Sequence, residues 1–223
     1  MKIGIIGGTG GMGKGFAIRW CVNHDILIGS RDATRAVQAA VEYSQSATEL
    51  HGEIKGKITG NDNLSVAKES DVLILSIPYE NINSTCSYLL SSIKDTCVVI
   101  SPIVPMIKTN AGFEFIPFIE KKPSAFELVQ RHMKNKTKLV AAFHTISEKK
   151  LADPNIILDF DIFVCGDDQN AINVVKELIQ EIKCLRPVFL GPGSLSYLAE
   201  ITTPILLNAM LKNKMQNPGI KII

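Results

Sequence analysis

Residues 2–13 read Lys-Ile-Gly-Ile-Ile-Gly-Gly-Thr-Gly-Gly-Met-Gly and carry the strongest structural signal in the chain. The apolar run at 2–6 predicts a strand, and Gly8, Gly10 and Gly13 then form a G-x-G-x-x-G pattern ahead of a predicted helix. In this pattern the first glycine permits a tight turn, the second lets the backbone approach a pyrophosphate, and the third lets the helix pack on the strand. The order of strand, glycine turn and helix predicts a nucleotide-binding βα unit.

The start of the predicted helix supplies groups that attract an anion. Its free backbone N–H groups face the expected phosphates, and the helix dipole favours negative charge at that end. The placement of the glycines therefore favours a bound dinucleotide. The alternative is a glycine-rich turn that binds no ligand.

The end of the second predicted strand, at 25–28, indicates which dinucleotide binds. An NAD site usually carries an acidic residue about twenty residues past the glycines, whereas this chain has Ser30 and Arg31, with Arg35 four residues later. Both arginines are expected on one face of a helix start, where a guanidinium suits the paired oxygens of a 2′-phosphate. Asp32 could instead serve as a helix cap, and a solvated pair of arginines is the alternative. The pattern predicts NADP(H) rather than NAD(H).

Bulk composition excludes several classes of function. The chain has 223 residues and a net charge of +2, which allows a full core but implies no general affinity for nucleic acid or membranes. Its apolar runs are too short to span a bilayer. The N-terminus is itself the first predicted strand, so no signal peptide is expected and a cytoplasmic location is predicted. The five cysteines include no C-x-x-C pair, which predicts neither a zinc site nor a disulfide framework.

Strands and helices alternate along most of the chain. The continuous apolar run at 71–78 is typical of a strand that helices cover on both faces. The alternation predicts an α/β fold with a doubly wound, mostly parallel sheet. We expect a Rossmann NADP-binding domain over 1–146 and a small C-terminal α/β extension over 147–223, which ends in a long helix from about 195 to 212.

Two stretches interrupt the alternation. A polar, glycine-bearing connection is expected over 51–63, with a short strand possible near Ile58, and a loop is expected from 101 to 117. The final helix is apolar over much of its surface. Part of it is expected to pack on the sheet, and the remainder could form a homodimer contact or cover a second ligand.

The predicted strand ends indicate where the ligands meet. Because ligands in doubly wound sheets bind beyond the carboxyl ends of the strands, the ends at 77–79 and 102–105 are expected beside the glycine turn. His144 is expected at the tip of the strand at 138–143, within reach of a second substrate, although a structural histidine is equally common there. No tyrosine is followed four residues later by lysine, so the acid–base pair of short-chain alcohol dehydrogenases is missing. The chemistry is expected to need positioning more than proton transfer.

Beyond these general features, the chain resembles archaeal NADP oxidoreductases that depend on the deazaflavin coenzyme F-420. The similarity extends from Met1 to Ile223 without a large insertion. The matching segments are Gly7-Gly8-Thr9-Gly10, Gly13-Lys14-Gly15, Gly29-Ser30-Arg31, Ser101-Pro102, Val104-Pro105, His144-Thr145-Ile146, Cys165-Gly166-Asp167-Asp168, Leu185-Arg186-Pro187, Thr203-Pro204 and Gly219-Ile220-Lys221. Several of these are not general Rossmann features, so the resemblance is more specific than the glycine motif.

The resemblance implies reversible hydride transfer between C5 of the reduced deazaflavin and C4 of the nicotinamide. It places the NADP site at Thr9, Gly10, Gly11 and Met12 for the pyrophosphate, Ser30, Arg31 and Arg35 for the 2′-phosphate, and Ile77, Tyr79 and Val104 near the nicotinamide. His144 and Ile146 match positions that line the deazaflavin pocket. The chain departs from the family at Ser147-Glu148, where Pro-Ala is typical. A carboxylate there is unfavourable beside an anionic coenzyme unless it points away.

Two other functions remain open at this point. The first is an NADPH-dependent reductase that uses the same pocket for another acceptor, such as a flavin or a ferric complex. The second is a regulator that binds NADPH without catalysis, which predicts tight binding and no turnover of any acceptor.

Overall fold

The computed structural model describes residues 1–153, 155–216 and 218–223. Within them, ten strands form one eight-stranded sheet and one two-stranded hairpin. The strands are β1 (Lys2–Ile6), β2 (Asp25–Ser30), β3 (Ile58–Asp62), β4 (Val72–Leu75), β5 (Val98–Ser101), β6 (Met106–Lys108), β7 (Phe113–Phe115), β8 (Leu139–Ala141), β9 (Asp161–Gly166) and β10 (Arg186–Gly191).

The large sheet has the order β10-β9-β8-β5-β4-β1-β2-β3. Every neighbouring pair is parallel except β8 and β9, which run antiparallel. From β1 the strands follow in chain order toward both edges of the sheet, so the direction of the strand order reverses beside β1. This confirms the predicted mostly parallel, doubly wound α/β fold.

Helices cover both faces of the sheet. They are α1 (Gly11–Trp20), α2 (Ala33–His51), α3 (Asn63–Glu69), α4 (Ile82–Leu89), α5 (Ile116–Glu120), α6 (Ala125–Arg131), α7 (Glu148–Ala152), α8 (Gln169–Glu181) and α9 (Ser196–Asn213). Buried residues of α1, α2 and α8 share one apolar cluster with the sheet, and those of α3, α4 and α6 share the other. The two clusters explain why the central strands are apolar on both faces.

The structure corrects the expected boundaries in three places. The connection at 51–63 contains the short strand expected near Ile58, here β3, but the helix α3 that follows it was not expected. Asp62 begins α3 by accepting hydrogen bonds from the backbone N–H groups of Leu64 and Ser65. The expected loop at 101–117 contains the hairpin of β6 and β7 and the start of α5. Strand β8 ends at Ala141, so His144 lies in the following turn rather than at the strand tip.

The region after residue 146 continues the same sheet. It contributes β9, β10, α8 and the predicted long terminal helix, here α9. The division into domains at 1–146 and 147–223 stays a prediction. Among the residues that the structure describes, no helix is both long enough and apolar enough to cross a bilayer.

Candidate functional site

The glycine turn connects β1 to α1 in the predicted manner. The backbone N–H of Gly8 donates to the carbonyl of Gly29 at 2.9 Å, which ties the turn to β2. A Cβ on Gly13 would overlap the carbonyl of Gly8, so only glycine lets α1 approach the strand this closely. Nothing lies within 4 Å of the Cβ position on Gly10. The backbone at Gly10 is therefore open to the approach of a ligand, which fits a dinucleotide.

Tyr43 of α2 forms hydrogen bonds with this turn. Its hydroxyl lies 3.3 Å from the carbonyl oxygen of Gly8 and 3.3 Å from that of Gly10. Burial, with a smaller effect of the Glu42 carboxylate, raises the pKa of Tyr43 to about 12, so the phenol stays neutral and donates. Tyr43 was not predicted as part of the site, because a single tyrosine in an amphipathic helix carries no signal for a distant contact.

The expected 2′-phosphate residues lie at the end of β2, but the helical argument that grouped them was wrong. Asp32 is the N-cap of α2 and accepts hydrogen bonds from the backbone N–H groups of Thr34 and Arg35. Helix α2 begins at Ala33, so Arg31 lies outside it and shares no helical face with Arg35. Both arginine side chains are exposed, and no ion pair of either occurs within the described ranges.

The positions predicted for the two rings meet in one cavity of about 390 Å³ at the carboxyl ends of β4, β5 and β8. The predicted residues that line it are Met12, Ile77, Tyr79, Val104, His144 and Ile146. Two further lining residues come from the C-terminal region, Glu148 of α7 and Thr203 of α9. The cavity is mostly apolar and adjoins the glycine turn through Met12, so it can hold planar rings beside a bound dinucleotide.

His144 is buried at this cavity with an unsatisfied imidazole. Neither ring nitrogen has a hydrogen-bond partner among the described residues. Burial lowers the pKa of His144 to about 3, so the ring is neutral at physiological pH and offers one donor and one acceptor. Buried polar atoms in native proteins are usually paired. Two unpaired nitrogens on a cavity wall therefore favour a polar ligand there.

The backbone around His144 is fixed by contacts from distant elements. Phe143 adopts a φ of 68°, which is uncommon for a bulky residue, and its ring packs edge-on against Phe16 at 5.0 Å between centroids. The hydroxyl of Thr203 in α9 donates to the carbonyl of His144 at 2.6 Å. The core and the terminal helix together hold the imidazole at the cavity.

Tyr79 lies in a short 3₁₀ turn after β4 and is tied to the start of α6. Its hydroxyl donates to the carbonyl of Pro123 at 2.8 Å. The start of α6 also bonds to Glu200 of α9. The carboxylate of Glu200 accepts hydrogen bonds from the backbone N–H of Ala125 at 3.1 Å and of Phe126 at 3.0 Å. Burial raises the pKa of Glu200 to about 7 despite these two bonds. Glu200 carries no sequence signal of this role, because it is a single acidic residue in an apolar helix.

The segment Cys165–Asp168, which contributes to the resemblance, has a structural role in the fold. Asp167 accepts a hydrogen bond from the backbone N–H of Gly193 at 3.0 Å, just before α9. Asp168 caps α8 and pairs with Lys138 at 3.0 Å. Asp167 therefore connects two C-terminal segments, Asp168 connects the start of α8 to the residue before β8, and neither lines the cavity.

The doubly wound sheet, the glycine turn and the cavity at the strand ends define a Rossmann-type nucleotide-binding protein. Residues 2–105 match the model of the family described as "NADP oxidoreductase coenzyme F420-dependent". The F420-dependent NADP reductase of Methanocaldococcus jannaschii is 36% identical over 222 residues, covering 100% of this chain and 98% of the relative. That of Methanothermobacter marburgensis is 33% identical over 225 residues, covering 100% and 98%. The chain belongs to the family of F420-dependent NADP reductases.

Solved structures confirm the fold. A crystal structure from Arthrobacter sp. FB24, described as a presumed F420-dependent NADP reductase, matches with a TM-score of 0.77 at 20% identity and covers 100% of this chain and 99% of that one. A 3-hydroxyacyl-CoA dehydrogenase from Archaeoglobus fulgidus matches with a TM-score of 0.56 at 14% identity, covering 97% and 65%. The fold is therefore shared with larger Rossmann dehydrogenases.

Proposed function

We propose that this protein catalyses reversible hydride transfer between reduced coenzyme F-420 and NADP. The observation that carries the proposal is the cavity in which the residues assigned to both rings meet beside the glycine turn, whose backbone is open at Gly10. The named relatives, which align over the full chain, support the same reaction.

NADP(H) is proposed to bind along the carboxyl edge of the sheet. Its pyrophosphate would contact the glycine turn, from Gly8 to Gly13, where α1 presents free N–H groups and has no acidic residue in its first turn. Its 2′-phosphate would bind Ser30, Arg31 and Arg35, whose exposed guanidinium groups are free to form charge-assisted bonds. Its nicotinamide would lie against Ile77, Tyr79 and Val104.

The deazaflavin is proposed to occupy the part of the cavity lined by His144 and Ile146. When both rings are bound, a hydride would pass directly between the deazaflavin and the nicotinamide. The role of the protein is to position the two reacting carbons next to each other. The neutral imidazole of His144 can bond to polar atoms of the ring without adding a charge. The apolar side chains around it keep water from the reacting atoms.

The test is a mixing experiment with purified protein, NADPH and oxidised coenzyme F-420. We expect the visible absorbance of the deazaflavin to bleach only when all three are present. NADPH binding without bleaching would contradict the proposed reaction. Bleaching of FMN or reduction of a ferric complex in its place would identify another acceptor, and no turnover of any acceptor would indicate a regulator.

A variant distinguishes the deazaflavin side of the cavity from the nicotinamide side. His144→Ala should slow the bleaching while leaving NADPH affinity nearly unchanged, because the imidazole is assigned to the deazaflavin. Reduced NADPH affinity with normal bleaching at saturation would instead assign His144 to the nicotinamide side.

Three broader proposals accompany this function. The residues after 146 are proposed as a small C-terminal region that completes the deazaflavin pocket, supported by Glu148 and Thr203 on the cavity wall. A homodimer is proposed from the exposed apolar side chains of Ile205 and Leu211 on α9. A cytoplasmic location remains an expectation from the composition.

A further inference from the structure

Helix α7 is held firmly against α1. The side chain of Arg19 donates from Nε to the carbonyl of Leu151 at 2.9 Å and from Nη2 to that of Asp153 at 2.8 Å. Leu151 packs directly on Gly15, where no side chain of α1 intervenes. The backbone of α7 therefore has a fixed position relative to the glycine turn that begins α1.

The first residue of α7, Glu148, extends over that turn. A Cβ placed on Gly11 would meet Cγ of Glu148 at 2.7 Å and its Cδ at 2.8 Å, so the side chain lies directly on the α-carbon of Gly11. Glu148 also lines the cavity together with Met12 and His144. The carboxylate points into the site rather than away from it.

The carboxylate stands at a position where an anion is favoured. Gly10 is the N-cap of α1 and provides no side-chain cap, and the first turn of α1 contains no acidic residue. The backbone N–H groups at this end attract negative charge. Glu148 forms no ion pair within residues 1–153, 155–216 and 218–223, so no cation neutralises it before a dinucleotide arrives.

We propose that Glu148 competes with the pyrophosphate of NADP(H) for the N-terminal end of α1 and thereby sets the affinity for the dinucleotide. Since Arg19 fixes the backbone of α7, the side chain of Glu148 rotates away when the pyrophosphate binds. The like charges weaken binding and speed release of the dinucleotide. The inference rests on the proposed function, because it requires NADP(H) at the glycine turn.

The test compares NADPH dissociation constants by titration of nicotinamide fluorescence. Glu148→Gln removes the charge and keeps the shape, and Glu148→Ala removes both. We expect both variants to bind NADPH about 5- to 20-fold more tightly than the unchanged protein. Glu177→Gln is the matched control, because it makes the same change on the exposed face of α8, and it should leave the dissociation constant unchanged.

A second probe isolates the pyrophosphate. Adenosine 2′-monophosphate carries the 2′-phosphate and lacks the pyrophosphate, so Glu148→Gln should not alter its affinity. Unchanged NADPH affinity in Glu148→Gln would overturn the proposal. Weaker NADPH binding would also overturn it and would make Glu148 an acceptor for the ribose hydroxyls. If the unchanged protein binds adenosine 2′-monophosphate but not NADPH, the proposed function itself fails. That result differs from both unchanged and weaker NADPH binding in Glu148→Gln.

Discussion

At the end of β2, two arginines remain exposed while the aspartate beside them is engaged. The carboxylate of Asp32 accepts hydrogen bonds from the N–H groups that begin α2, so its role is that of a helix cap. Arg31 precedes the helix and Arg35 lies in its first turn, so the two residues follow β2 closely but have different backbone surroundings. Their exposure allows either of them to adjust to a ligand.

Arg31→Ala should weaken NADPH binding much more than NADH binding. Loss of a charge-assisted bond to the 2′-phosphate costs about 1.5–3 kcal/mol, or about 10- to 150-fold in affinity. The measurement is the ratio of the two dissociation constants. Lys183→Ala, which removes an equal charge from an exposed turn before β10, should leave that ratio unchanged. Equal losses for both dinucleotides would remove Arg31 from the 2′-phosphate site.

At the scale of elements, the hairpin of β6 and β7 is a feature that the sequence did not predict. Strands β6 and β7 have three residues each, too few for an alternating pattern to register. The hairpin is held by Asn208 of α9, whose side chain bonds both the N–H and the carbonyl of Phe113, at 2.8 and 2.7 Å. Contacts with a distant helix therefore add to the bonds that Thr109 makes within the turn of the hairpin.

The junction of β1 and α1 gives a paired test of two glycines. Gly13→Ala should destabilise the fold by about 1–3 kcal/mol, because its Cβ would push against the carbonyl of Gly8. Gly10→Ala should cost less than about 1 kcal/mol, because its φ of −97° suits alanine and its Cβ meets nothing within 4 Å. Urea denaturation measures both values.

The same pair also tests ligand binding. Gly10→Ala should weaken NADPH binding in spite of its near-normal stability, because the new methyl group stands in the space through which the pyrophosphate approaches. Equal destabilisation by the two substitutions, or normal NADPH affinity in Gly10→Ala, would contradict the roles given to these glycines.

Across the whole molecule, burial strongly shifts the pKa values of two titratable groups, Glu200 and His144. Glu200 of α9 is fully buried against the start of α6, and its pKa rises from an ordinary 4.5 to about 7, chiefly through burial. His144 has its pKa lowered from 6.5 to about 3 by burial. These shifts oppose each other in their effect on stability.

The sign of each effect follows from which state binds more protons. Between about pH 4.5 and 7 the folded state holds a proton on Glu200 that the unfolded chain has lost, so this group destabilises the fold as pH rises. Between about pH 6.5 and 3 the unfolded chain protonates His144 and the folded state does not, so this group destabilises the fold as pH falls.

Glu200→Gln should therefore gain stability relative to the unchanged protein as pH rises from 5 to 7.5. The expected gain is about 1–3 kcal/mol, because a neutral amide cannot acquire the buried charge. Urea unfolding at the two pH values measures it, with the exposed Glu177→Gln as the control. A difference in stability that is the same at both pH values would show that Glu200 ionises as an ordinary carboxyl group.

The sequence alone determined the features that depend on local pattern. Apolar runs, helical spacing and the glycines at 8, 10 and 13 fix the βα units, because strand burial and tight turns are decided by neighbouring residues. The same patterns grouped the strand ends that line the cavity. The sequence also indicated Asp32 as a candidate cap, and the structure shows that it is the N-cap of α2, which leaves Arg31 outside the helical face that it was expected to share with Arg35.

Only the tertiary structure decided what surrounds those residues. The unpaired imidazole of His144, the support that Tyr43 gives to the glycine turn and the carboxylate of Glu148 over Gly11 each depend on segments far apart in the chain. Such contacts carry no periodic signal, because they arise when separately folded elements pack together. The electrostatics of the site, unlike its backbone, therefore appear only once the whole chain is folded.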